Sequence, residues 1–198
     1  MLSTRPIKQS LLVISALVLS ACGGSGGGGA GGASLADFAS DFAALSADPN
    51  INSATPQTTV NALRGSTRYN GVINIGVPQS STSSLDTKNY YGNIAMTVDF
   101  VSGADAVSGT ADNFVLYNSF VASPDVGSRV SGSLSFSGAT TQDNESIGDG
   151  IEGTMTGAIE GVDSSGTFSG SITGLTGNGM RLFLDGPDLG GGVAILVD

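Results

Sequence analysis

The sequence predicts an all-β protein: a small eight-stranded antiparallel up-and-down β-barrel with a short N-terminal helix, preceded by a signal peptide and a Gly-rich tether. Three observations predict the barrel. From residue 65 onward, apolar and small residues alternate with Ser, Thr, Asn and charged residues, the period-two pattern of strands with one buried face. Glycine, at 31 of 198 residues, recurs on the apolar side between large side chains, where it relieves crowding and lets a sheet coil tightly. Ser/Asp/Gly/Pro turns separate the alternating segments with no helical period between them, as expected of an antiparallel meander. Eight such strands bury their apolar faces and remove their exposed edges by closing on themselves.

Residues 1–21 read as a signal peptide, with Arg5 and Lys8 before the apolar run Leu11–Leu19, which is too short to span a bilayer. The run ends in Leu19-Ser20-Ala21-Cys22, which resembles the bacterial lipobox. That resemblance implies cleavage before Cys22 and acylation of its thiol and new amino group. Acyl chains contribute about 0.8 kcal/mol per buried methylene, so several chains make a durable anchor without a membrane-spanning helix. Gly23 stands where an aspartate would signal inner-membrane retention, so the resemblance points to the outer membrane, with the folded part at the cell surface. Residues 22–33 are the lipidated cysteine and a tether of Gly, Ser and Ala with an expected reach of about 20 Å r.m.s..

Residues 34–64 are expected to hold one helix and a polar connection. Ser34 and Asp37 form an N-cap pair, and Leu35, Phe38, Phe42 and Leu45 recur at helical spacing, predicting a helix over 34–46 that plugs the rim of the main domain. Asp48-Pro49-Asn50 ends it.

The barrel is expected over 65–198. Its strands are read in order from Tyr69–Val77, Tyr90–Phe100, Val107–Asp112, Val130–Gly138, Ile151–Ile159, Thr167–Gly174, Met180–Asp185 and Val193–Val197. Leu134 and Phe136 against Ser133, Ser135 and Ser137 give the clearest alternation. Tyr90 is expected inside and Tyr91 on the surface, while Glu160 falls on the outward side of its strand and Lys88 in a turn. An inverted, membrane-spanning barrel would need paired aromatic girdles, and a β-solenoid a constant repeat; the sequence shows neither.

The segments Asp99-Phe100 with Ser102-Gly103, Val107-Ser108-Gly109-Thr110 with Asn113-Phe114, Gly166-Thr167-Phe168-Ser169-Gly170, and Leu182–Pro187 with Gly190-Gly191-Gly192 resemble the barrel of the transferrin-binding protein B-like lipoprotein family. The resemblance covers about residues 65–198. It implies an outward-facing, lipid-tethered eight-stranded barrel of the single-barrel, solute-binding-like kind; the chain departs from the family in having room for one barrel and no handle domain, and in a shortened connection between Gly186-Pro187 and Gly190-Gly191.

Chemistry narrows the function classes. After Cys22 there are five basic against seventeen acidic residues, a net charge of −12, which repels phosphate backbones and excludes a nucleic-acid partner. The chain has no histidine and only Cys22 as a thiol, which removes the commonest general base, metal ligand and activated nucleophile. Gly148-Asp149-Gly150-Ile151-Glu152-Gly153 spells a dinucleotide fingerprint, but it leads into a period-two strand rather than a helix. Asp143, Asn144, Glu145, Asp149 and Glu152 are oxygen-rich, yet Thr154 stands where a calcium loop needs its bidentate glutamate. The expectation is a non-enzymatic, monomeric protein with no cofactor, metal or catalytic residue. It binds an unidentified protein or solute through connections 78–89, 118–128 and 139–147, with Phe120, Val121 and Asp125 as the expected contacts. The alternatives are a lipocalin-like carrier of a small apolar ligand inside the barrel and a hydrolase with a carboxylate pair at the barrel mouth.

Overall fold

The computed structural model describes residues 33–79, 86–100, 106–119, 126–141 and 150–198. The signal peptide, Cys22 and the tether up to residue 32 lie outside the described residues. Among the described residues three helices precede the strands: α1 (Leu35–Ala47), α2 (Pro49–Asn52) and α3 (Gln57–Val60). Nine strands follow: β1 (Ser66–Pro78), β2 (Thr87–Asp99), β3 (Ala106–Ser119), β4 (Gly132–Thr141), β5 (Gly150–Ile159), β6 (Val162–Asp163), β7 (Gly166–Thr173), β8 (Gly179–Asp185) and β9 (Gly192–Val197). Every pairing is antiparallel, and the neighbours run β1-β2-β3-β4-β5-β7-β8-β9 and back to β1. The barrel is therefore closed with eight staves, and the two-residue β6 folds back on the end of β5.

Alternation sets the two faces as the sequence predicts. Tyr69, Ile73, Ile75, Ile94, Met96, Leu134, Phe136, Met155, Phe168 and Leu182 join one continuous buried core, while Ser133, Ser135 and Ser137 stay exposed between them. The glycines of the inner face are required by this packing. A Cβ built on Gly153 would come within 2.6 Å of Phe168 Cζ, and one on Gly92 within 2.6 Å of Phe114 Cδ1. The rings lie directly over bare backbone, so these positions have no room for a methyl group.

Strand β3 runs to Ser119, well past the expected Asp112. Two bulges explain why the period was lost: pairing with β2 slips between Tyr91 and Asn93 and again between Asn89 and Tyr90. At the first slip Asn113 takes a left-handed φ of 56°, a conformation asparagine tolerates better than most residues. The extra residue flips the parity, so Ala111 and Phe114 both point inward and Val115 outward. Residues before β4 also differ from expectation. Val130 donates its N–H to Phe114 O at 2.9 Å, and Arg129 bridges Val115, so part of the expected 118–128 loop and the start of the next strand lie alongside β3.

Helix α1 begins as expected: Asp37 N–H donates to Ser34 Oγ at 3.3 Å, and Ser34 N–H donates to Asp37 Oδ2 at 2.8 Å. Its position corrects the expected rim plug. Phe38, with Phe42 and Leu45, packs on Val72, Tyr91 and Val115, outward-facing residues of β1, β2 and β3, so the helix covers the outer wall. Tyr91, expected on the surface, is buried beneath it at 8% exposure.

The connection after α1, expected as plain polar chain, contributes the short helices α2 and α3 and seals one end of the barrel. That end, here the lower mouth, is where β1 starts and β7 joins β8. Thr55, fully buried, donates its hydroxyl to Gly174 O at 2.7 Å and to Ile172 O at 3.2 Å. Ala54 bridges Thr173, and Leu63 packs against the core. The upper mouth carries the β1–β2, β3–β4, β5–β7 and β8–β9 connections.

Candidate functional site

Inward parity at the start of β2 places Lys88 and Tyr90 in the upper mouth, where the strand alternation leaves no polar outer face for them. Across that mouth, β5 turns into β6 through Glu160 and Gly161, whose φ values of 52° and 75° define a turn with both central residues left-handed. Asparagine or glycine suits the first of these positions; a glutamate there is strained, at a cost of the order of 1 kcal/mol. The strain brings its carboxylate inward rather than to the expected outer face. Glu160 Oε2 accepts from Lys88 Nζ at 2.6 Å and from the Tyr90 hydroxyl at 2.8 Å.

Strands β3 and β4 lie between β2 and β5 in the wall, so this pair spans the mouth. Burial pushes the Glu160 carboxyl up, but the hydrogen bonds from Lys88 and Tyr90 and the ammonium charge outweigh it and hold the group below the ordinary carboxylate range. Burial, together with the hydrogen bond to Glu160 and its charge, raises Tyr90 far above the usual phenol range. The Gln79 side chain opposes that rise. Chemically the cluster is a saturated lock: the carboxylate already holds an ammonium and a phenol. Lys88, the one lysine after Cys22, is roughly three-quarters buried and sits in a strand rather than in a turn.

Two surface features accompany the lock. An aromatic row leads from under α1 toward the upper mouth, with Phe42 and Tyr91 centroids 5.6 Å apart and Tyr91 and Tyr117 4.9 Å apart. A shallow depression of about 280 Å³ on the wall is lined by Arg68, Ala95, Thr97, Ser108, Gly109, Thr110 and Phe136, offering one guanidinium and three hydroxyls to a polar solute.

The expected contacts Phe120, Val121 and Asp125 lie outside the described residues, as do Asp143, Asn144, Glu145 and Asp149 of the oxygen-rich loop; Glu152 stands exposed on the outer wall. The mouth cluster was not singled out from sequence. Its one local signal is Glu160-Gly161 between two strands, a turn pair with glutamate in the place of asparagine. No helix among the described residues is long and apolar enough to cross a membrane. No family model, no curated protein and no solved structure matches this chain.

Proposed function

We propose that this chain is a lipid-anchored outer-membrane protein, akin to the transferrin-binding protein B-like lipoproteins, whose barrel is a rigid stand for binding a protein or solute at its exterior. The observation that carries binding outside the barrel is the packing inside it. Aromatic rings lie against Gly92, Gly138 and Gly153 at separations that exclude even a methyl group. Tyr69 and Tyr90, both fully buried, fill the space toward the two mouths. A carrier needs an internal cavity of some hundreds of Å³ for a small ligand. Lipidation rests on Leu19-Ser20-Ala21-Cys22.

Two measurements on the full chain test this reading. An alkyne fatty acid should label the wild type and not Cys22→Ser, and the variant should leave the membrane fraction; retention of Cys22→Ser refutes the anchor. Native mass spectrometry of the purified protein should show the acylated chain with no other bound molecule. A small apolar molecule bound one to one would instead make the protein an internal carrier.

A further inference from the structure

The chain joins the folded unit on the outer wall, nearer the upper mouth than the mouth where the barrel begins. Arg129 Nη2, in the segment that leads from β3 to β4, donates to Ala33 O at 2.9 Å, and the Ser34–Asp37 capping box fixes the start of α1 immediately afterward. The helix then crosses the wall over β3, β2, β1 and β9. Only at its far end do α2 and Thr55 dock on the lower mouth, through Ala54, Ile172 and Gly174, before Ser66 opens β1. Ten residues, and so eleven Cα-to-Cα steps, lie between Cys22 and Ala33.

We infer that the upper mouth is the membrane-apposed face of this protein, with the lipid surface as its neighbour, and that the lower mouth is presented away from the membrane. The inference rests on the lipid anchor proposed above. Eleven steps extend to at most roughly 40 Å, and a glycine-rich chain of that length averages about 20 Å. Strand β1 has thirteen residues, and at about 3.3 Å per residue and a tilt of about 35–45° the wall stands about 30–35 Å tall. Arg129, which holds Ala33, bridges Val115, nine residues above the lower end of β3 and four below its upper end. Turning the lower mouth to the lipid would hold Ala33 about 20–25 Å above it, at or beyond the tether's average length, whereas standing on the upper mouth brings Ala33 to about 10 Å, well inside that reach. The upper end also exposes Tyr117 and Val126, at 43% and 48%, a phenol and a small apolar group suited to an interfacial layer. A soluble partner meets the lower mouth, where Leu175 in the β7–β8 turn is 63% exposed.

The test uses the acylated full chain in vesicles of phosphatidylethanolamine and phosphatidylglycerol doped with a lipid carrying a nitroxide on its headgroup. Acylation occupies Cys22, so Val126→Cys and Leu175→Cys each give one thiol, at exposed positions, for a maleimide fluorophore. Quenching at residue 126 should exceed that at residue 175 severalfold. Equal quenching, or stronger quenching at residue 175, overturns the orientation and leaves the upper mouth free for a protein partner. A purified chain with no acyl mass, binding the vesicles no better than Cys22→Ser, overturns the anchor reading itself, and the orientation falls with it.

Discussion

The two mouths of the barrel solve one problem in different ways. Each receives the polar tip of a fully buried tyrosine, Tyr69 below and Tyr90 above. Below, the Tyr69 hydroxyl donates to Gly177 O at 2.8 Å, and Thr55 and the short helices close the end with backbone acceptors and apolar contacts. Above, Tyr90 donates to a carboxylate that also binds an ammonium. Burial raises both phenols well above their usual range, helped by the Asp198 charge at Tyr69 and by Glu160 at Tyr90. The hydrogen bonds of the lower seal end on backbone carbonyls, whereas the upper one depends on the charge of Glu160. The mouths should therefore respond alike to truncation and differently to pH.

The largest expected effect lies in the core that both mouths share. Leu134→Asp buries an unpaired carboxylate, which costs several kcal/mol against a typical stability of about 5–15 kcal/mol, and the domain should not fold. Ser133→Asp, one residue away on the outer face, should shift a urea midpoint by less than about 0.5 kcal/mol in stability. Similar losses at both positions would refute the faces assigned to β4.

Next comes the lower seal. Thr55→Val keeps the shape but leaves the Gly174 carbonyl without its hydroxyl donor, a loss of about 1–3 kcal/mol for a buried polar group. Urea titrations at pH 7 and pH 3 should give the same difference from wild type, since no ionisable group is involved. A penalty that grows or vanishes in acid would break the contrast between the mouths.

The paired tyrosines sharpen it. Tyr69→Phe and Tyr90→Phe should each cost about 1–2 kcal/mol at neutral pH. A hydrogen bond to a charged acceptor is about twice as strong as one between neutral groups. The Tyr90→Phe penalty should accordingly shrink once Glu160 is protonated, while that of Tyr69→Phe stays constant. Stability curves of the two variants at several pH values check this.

The smallest effect isolates the ion pair, which is roughly three-quarters buried. The folded carboxyl lies below its ordinary value of 4.5, so its contribution is fully present above the unfolded value and is lost as pH falls through the folded one. Relative to Glu160→Gln, the wild type should lose up to about 1 kcal/mol of stability between pH 6 and pH 3. A constant difference across that range would show that Lys88 and Glu160 are merely neighbours.

Much of the barrel was legible because strand alternation is local. Leu134 flanked by Ser133 and Ser135 declares its face without reference to any other strand, and glycines between large residues declare a coiled sheet. Three features escaped because their causes are not local. The bulge at Asn113 shifts parity, so the alternation that ended at Asp112 concealed seven further residues of β3. The amphipathic period of α1 required a partner but did not name one. Its seat exists only where closure sets outward Val72, Tyr91 and Val115 side by side.

The mouth cluster is the extreme case, since Lys88 on β2 and Glu160 in the turn after β5 are 72 positions apart, and β2 and β5 never pair. By itself the sequence determined the strand faces, the capping of α1, the acidic charge and the absence of histidine. The tertiary structure decided which wall the helix covers, which tyrosine meets an ionised partner and beside which mouth the chain joins the barrel. Closing a barrel fixes distances between strands that are not neighbours, and nothing in the residues of either strand encodes them.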